Sequence, residues 1–498
     1  MASRRDELNA YNFARKRTVA AFLKPLPNGS VDSAPSPLKR VVPSIVMAVV
    51  VLAGFGACGM MSPVAPKGWD TPEAGIIVTD PSATRYVVLK SGKKDKNGKD
   101  TPVLHPVLNL ASAKLLLNPK NSGEGSVKTV KEKFLDESNI AQGSMVGIPY
   151  APDRMPSAKD AGAAKVWALC QQASGGTDAT SVQQTVFVLD DKDAQKVTAK
   201  DSGKLAGDQA LYVQDKSGTP YLVSNKGVAY KLAGSPALSL DQLVRTLFGD
   251  HAQPRTVTDD WLATLTQSPE PISVPSVPGA GGASSASGVP PKYRTTGTLL
   301  QTNGGQHYLV EQNRVISVTD FQTALLRETL GGNSRIATIT QGELTLGQGS
   351  LTGGDTWPSQ AVSLANGGSK DTSCSVYHGG KSTDLTTWAG SSLPIGSIAS
   401  SASSYVSPGS GLLYQEQEGK SSSGFNYLAT DTGLRYYLPM NNDSGKDGSG
   451  SEKEEVGRAQ IRLGYEKTRK VSVPAQWSKL LPSGPDLTTA AAEQTQNS

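Results

Sequence analysis

Residues 211–249 read LYVQDKSGTPYLVSNKGVAYKLAGSPALSLDQLVRTLFG. Leu211, Tyr212 and Val213 and then Tyr221, Leu222 and Val223 are short β-type runs separated by an Asp/Gly turn. A second turn at Gly227 leads to Val228 and Tyr230, and SLDQLVRTLFG from Ser239 carries apolar residues at spacings of three and four. Alternation over four to eight residues reads as a half-buried strand and the three/four spacing as an amphipathic helix, so the stretch predicts a hairpin closed by a helix.

The same succession recurs three times. Tyr86 to Leu89 precede LHPVLNLASAKLLL at 104–117. Tyr308 to Val310 and Arg314 to Ile316 precede VTDFQTALL from Val318. Tyr427, Leu428, Leu434, Tyr436 and Leu438 precede a charged, glycine-rich insert at 441–455 and then AQIRLGY from Ala459. A unit this small cannot bury a core alone, so four copies predict an array stabilised by packing on neighbours or on a shared sheet. Further strands expected at 184–189 and 335–340 supply that middle domain. The stretch PEPISVPSVPGAGGASSASGVPP at 269–291 reads as an exposed linker between two halves of two repeats each, and residues 484–498 as a frayed tail.

Composition agrees with an array. The chain has 498 residues, 37% apolar, 19% charged and 6% aromatic, with 52 Gly and 31 Pro. A single large hydrophobic core is not expected at that apolar fraction. The net charge of +5 is small for the length and does not point to nucleic acid.

Residues 41–61, VVPSIVMAVVVLAGFGACGMM, hold no charge and are long enough for a membrane helix. Eight basic residues against three acidic ones precede them, which predicts a cytoplasmic N-terminus, a single span and about 435 residues outside the plasma membrane. Ahead of it, Ser3 and Asp6 form an S-x-x-D cap, and Leu8, Tyr11, Val19, Phe22 and Leu23 fall within about 120° of a helical wheel. Residues 4–23 are therefore expected to form a basic amphipathic helix, whose Arg4, Arg5, Leu8, Tyr11, Arg15, Arg17 and Phe22 contact either an anionic leaflet or a cytoplasmic partner.

Chemistry-bearing motifs are few. The two GKS triplets, at 380–382 and 419–421, lack the leading glycine of a phosphate-binding loop: Ser375 and Tyr414 stand there. The histidines His105, His251, His307 and His378 show no zinc spacing. His105 is expected at a helix entrance, and the pairs Asp190/Asp191 and Asp259/Asp260 on solvated turns. No catalytic residue, metal or cofactor is predicted. Cys170 and Cys374 fall one in each half; they are either bridged, as an oxidising compartment would allow, or buried free thiols.

SRRDELNAYNFARKR at 3–17, HPVLNLASAKLL at 105–116, GIPYAPD at 147–153, KVWALC at 165–170 and VSVPAQWSKLLPSGPDL at 471–487 together resemble the EccB family of the type VII (ESX) secretion system, through nearly the whole chain. The resemblance implies a structural subunit of an inner-membrane export complex, working with the motor ATPase EccC and with EccD and EccE, and homo-oligomeric. It also implies four modules similar to phage-lysin wall-binding units, hence peptidoglycan contact, around a central sheet domain pinned by Cys170–Cys374. Family members often carry an ATPase or hydrolase label, which makes an outer-surface enzyme the alternative.

The resulting expectation is an α+β chain. Residues 1–40 form a cytoplasmic helix and linker, 41–61 a transmembrane helix, and 62–483 an extracytoplasmic body. Within the body the repeats lie near 84–118, 210–249, 306–328 and 411–465, and the central domain is drawn from 140–200 and 335–405.

Overall fold

The computed structural model describes residues 3–23, 41, 43–52, 65–96, 98, 100–117, 126–173, 182–330, 336–396, 403–419, 424–440 and 457–496. It divides into two units, Met1–Lys67 and Gly68–Ser498.

The first unit holds the helix Arg4–Leu23 and a helical stretch at 43–52. Its described part covers about 15 Å at 1.5 Å per residue, half the hydrocarbon thickness. Among the described residues no helix is long and apolar enough to cross a membrane. This corrects the expected transmembrane helix at 41–61, and with it the single-pass topology, the orientation of the termini and the plasma-membrane localisation. Residues 53–61, including Cys58, lie outside the described residues, as do 24–40 and the insert at 441–455.

The second unit is α+β, with five sheets among the described residues. Four of them share one topology: three consecutive antiparallel strands, a helix, and a strand that returns parallel to the first. The first module uses Ile76–Asp80, Arg85–Lys94 and Asp100–Pro106, the helix Leu110–Leu116 and the return Val127–Lys131, with Ile76 beside Val127. The second uses Gln209–Gln214, Pro220–Ser224, Val228–Lys231, Leu240–Phe248 and Arg255–Thr256. The third uses Leu299–Thr302, His307–Val310, Val315–Val318, Asp320–Thr329 and Ala337–Ile339. The fourth uses Gly411–Gln417, Asn426–Thr430, Arg435–Leu438, Arg458–Arg462 and Val471–Pro474.

Local chemistry starts three of these helices after the third strand. Asn109 accepts from Ser112 N, and Ser239 and Thr319 each form reciprocal capping boxes with Gln242 and Gln322.

The fifth sheet runs Leu385–Gly390, Thr372–Tyr377, Val166–Ala173, Val182–Leu189, Ser404–Val406 in spatial order. Its placement follows from the period of two. Trp167, Leu169, Val186 and Val188 face one way and enter a core with Leu211, Val213 and Val223 of the second module and Leu412, Tyr414 and Val473 of the fourth. Ala168, Cys170, Phe187 and Leu189 face the other way, under the helix Asp191–Thr198, which adds Ala194 and Val197.

Strands of the second and fourth modules are apolar on both faces because both are used. Tyr212, Leu222 and Tyr230 back onto Phe321 and Leu325 of the third module, while Leu413, Leu428 and Tyr436 back onto Ile76, Val87 and Leu115 of the first. The modules thus pair first with fourth and second with third, across the sequence halves rather than within them. Ala337–Ile339, expected in the middle domain, is instead the return strand of the third module.

Two stretches expected to be loose are packed. In the Pro/Gly/Ser-rich segment, Ile272 and Val274 enter the core of the second module and Ala286 and Val289 that of the third. Ile272 N donates to Lys231 O at 2.8 Å, and Ser284 Oγ to Glu311 O at 2.6 Å. Proline removes donors, but the intervening apolar residues still have neighbours to cover. At the tail, Leu487 and Ala492 are fully buried in the core of the first and fourth modules. Gln496 donates from its backbone to Met145 O and from Nε2 to Gly147 O, both at 2.9 Å.

Candidate functional site

The helix Arg4–Leu23 is capped reciprocally: Ser3 N donates to Asp6 Oδ2 at 3.2 Å and Arg5 N to Ser3 Oγ at 3.1 Å. Arg4, Arg5, Leu8, Tyr11, Arg15, Arg17 and Phe22 are all exposed, Phe22 at 90%. Arg4, Arg5, Glu7, Leu8 and Tyr11 border a shallow, open concavity. The apolar stripe is more diluted than its five apolar members suggest. At 100° per residue Arg4, Asn12 and Arg15 fall in the same arc, while the exposed Phe13 lies outside it.

Gly380-Lys381-Ser382 joins two antiparallel strands of the central sheet, with Tyr377 opposite Leu385. Asp384 N donates to Lys381 O at 2.8 Å, and the Tyr377 hydroxyl to Gly380 O at 2.8 Å. A phosphate-binding loop connects a strand to a helix N-terminus, and this is a strand-to-strand turn. Of the second triplet, Lys420 and Ser421 lie outside the described residues.

The histidines are dispersed. His105 sits within a strand opposite Val87, not at a helix entrance, and its Nδ1 donates to Ser144 O at 2.8 Å. His307 Nδ1 pairs with Asp320 Oδ1 at 2.8 Å, and His378 Nε2 with Thr386 Oγ1 at 2.9 Å. Among the described residues no group of His, Cys, Asp and Glu could hold a metal ion. The acid pairs turn out to be helix-start residues rather than solvated turns. Asp190 caps Asp191–Thr198 by accepting from Asp193 N at 2.8 Å, and Asp259 and Asp260 fill the first turn of Asp259–Ala263, where acids suit the helix dipole.

His378 provides a pH test. Burial lowers its pKa from the ordinary 6.5; Asp384 raises it and Lys204 lowers it further. The folded state therefore keeps the ring neutral where the unfolded chain already binds a proton. The resulting stabilisation is complete above about pH 6.5 and is lost as pH falls through the lowered folded value. His378→Gln is expected to flatten the fall in urea midpoint between neutral and acidic pH; an unchanged slope would refute it.

Cys170 and Cys374 stand opposite each other on neighbouring central strands, joined as a disulfide with Cα atoms 4.0 Å apart and 204 residues apart in sequence. Other anchors were missed by pattern reading. Asp160 accepts from Lys165 Nζ at 2.6 Å, Ser410 Oγ at 3.1 Å and Gly411 N at 2.8 Å, fixing the first strand of the fourth module to the segment leading into the central sheet. The signal was legible as S-x-x-D at 157–160, since Asp160 N also donates to Ser157 Oγ. Arg435 reaches Glu416 Oε2 at 2.9 Å and Ser478 Oγ at 2.7 Å, and Ser478 also bonds Tyr414 Oη at 2.9 Å. Burial keeps the Tyr414 phenol well above its usual pKa. These groups orient and hold; none forms a nucleophile–base pair.

With this geometry in place, the whole of residues 1–498 matches the family described as "Type VII secretion system ESX-1, transport TM domain B". The chain belongs to the EccB family of type VII (ESX) secretion systems. Among its EccB relatives, the "ESX-3 secretion system ATPase EccB3" of Mycobacterium tuberculosis is 25% identical over 530 residues, covering 98% of this chain and 88% of the relative. The "ESX-1 secretion system ATPase EccB1" of the same organism is 28% identical over 299 residues, covering 58% of this chain and 54% of the relative. An EccB-type fold is also found in solved structures. A chain of an intact ESX-5 inner membrane complex aligns with TM-score 0.56 and 20% identity over 100% of this chain and 96% of that one. The EccB3 dimer from the ESX-3 core complex aligns with TM-score 0.56 and 19% identity over 84% of this chain and 100% of that one.

Proposed function

We propose that the protein is a structural subunit of a type VII secretion complex, assembling with the motor ATPase EccC and with EccD and EccE and self-associating through its body. The observation that carries this reading is the shared core. The second and fourth modules bury both sheet faces, so central sheet and modules form one interlocked body suited to transmitting and resisting force rather than to enclosing a substrate. Family membership across residues 1–498 and the names of the EccB relatives support the secretion context. The exposed helix Arg4–Leu23, with aromatic and arginine side chains of the kind that dominate protein interfaces, is the part we assign to partner docking. Deleting residues 1–23 is expected to leave the body folded and the protein absent from purified EccC-containing complex. Normal co-purification of that truncation would sink the docking assignment.

A further inference from the structure

The sequence Asn-Gly-Gly occurs at 303–305 and again at 366–368, and the fold gives the two copies opposite surroundings. Asn366 is 1% exposed. It follows the short strand Ser363–Leu364, which runs parallel to Gln209–Gln214, and its side chain takes the place of a peptide unit. Tyr212 N donates to Asn366 Oδ1 at 2.9 Å, and Asn366 Nδ2 donates to Tyr212 O at 2.9 Å. Turning this amide toward the nitrogen of Gly367 breaks both bonds in the interior, where no water replaces them.

Asn303 stands at the tip of the third module's first hairpin, between Leu299–Thr302 and His307–Val310, and is exposed together with Gly304, Gly305 and Gln306. Thr302 N donates to Gln306 O at 3.0 Å and Gly305 N to Thr302 O at 2.9 Å, which closes the tip. Among the described residues the Asn303 side chain has no hydrogen-bond partner. Solvent-exposed backbone bonds over so few residues open at little cost, so the side-chain amide is free to approach the nitrogen that follows it. Gly304 leaves that nitrogen unshielded, having no Cβ. The turn itself does not require glycine at 304: its φ lies outside the left-handed region, and an added Cβ meets nothing nearer than Gln306 Oε1 at 3.7 Å. Gly305, at φ +82°, is the position that does.

We propose that Asn303 is a site of spontaneous covalent modification, deamidation through a succinimide. The Gly304 nitrogen gives its proton to water and bonds to Cγ of Asn303, the Cγ–Nδ2 bond breaks, and ammonia leaves. Water then opens the ring at either carbonyl, yielding aspartate or isoaspartate, with nothing oxidised or reduced. Each conversion places a new negative charge on the exposed tip of the third module. The isoaspartate form also lengthens the loop backbone between the paired residues Gln301 and His307. Older copies of the chain thereby come to differ from newer ones at this hairpin. The test incubates the full native chain and its Gly304→Ala variant in mildly alkaline buffer, followed by peptide mapping with fragmentation that separates isoaspartate from aspartate. In the folded native chain the Asn303 peptide is expected to convert, chiefly to isoaspartate, while the Asn366 peptide keeps its amide. In urea both should convert at similar rates. Gly304→Ala should slow conversion at 303 severalfold, and an intact Asn366 peptide in the same digest shows that the variant is folded. Equal rates at 303 and 366 in the folded chain overturn the proposal. So does an Asn303 that converts only in urea. An unchanged rate in Gly304→Ala, or aspartate as the sole product, overturns the succinimide route.

Discussion

Serine at both Cys170 and Cys374 is expected to lower the stability of the body by up to about 5 kcal/mol, the chain-entropy value for a loop of this length. The bridge joins strands 204 residues apart in sequence, and the second and third modules, with the central strand Val182–Leu189 and the helix Asp191–Thr198, lie within the loop it closes. Without it the unfolded chain regains all the freedom of that loop, while the folded sheet keeps its hydrogen bonds. The urea midpoint should therefore fall for the Cys170→Ser, Cys374→Ser protein relative to the oxidised one. Both sulfurs belong to fully buried residues, so reductant should leave the bridge intact until denaturant opens the sheet. Equal midpoints for the two proteins would refute the account.

Trp261→Ala is expected to have an effect of similar size, about 3–5 kcal/mol, the range for truncating a large buried aromatic. Trp261 is fully buried in the core shared by the central sheet and the second and fourth modules. Its Nε1 donates to Leu169 O at 3.1 Å, so the variant loses a hydrogen bond to a central strand as well as the ring. Because the core is common to several elements, its loss should shift one cooperative transition instead of melting one module first. A separate early transition for the second module, seen by hydrogen exchange, would contradict the shared-core description.

The modules were legible because alternation and capping are local. Tyr212 and Leu222 are cross-strand partners, and Ser239 with Gln242 announces the following helix. Of the return strands, Ala337–Ile339 was expected as a strand but assigned to the middle domain, whereas Arg255–Thr256 is two residues long and is defined only by its distant partner Val213. Residues 269–291 misled because Pro, Gly and Ser outnumber Ile272, Val274 and Val289, yet those three find their partners in two different modules. The run at 41–61 was read from apolar length alone, and hydropathy gives no helix bounds. At the candidate site, the exposed residues of the first helix could be named from a wheel, but Asp160 and Arg435 act through neighbours some 250 and 20 positions away, about which spacing is silent.

The packing of residues 487–496 against the first module bears on the order in which the protein can mature. The sheet made earliest during synthesis, together with the helix Leu110–Leu116, waits for Leu413, Leu428, Leu487 and Ala492 to cover its apolar side. Until nearly the whole chain has emerged, that surface is open to solvent and to other chains, the condition under which partly made proteins aggregate or recruit chaperones. Translation and assembly are thereby linked in time: the piece that begins the body is also the last to be closed.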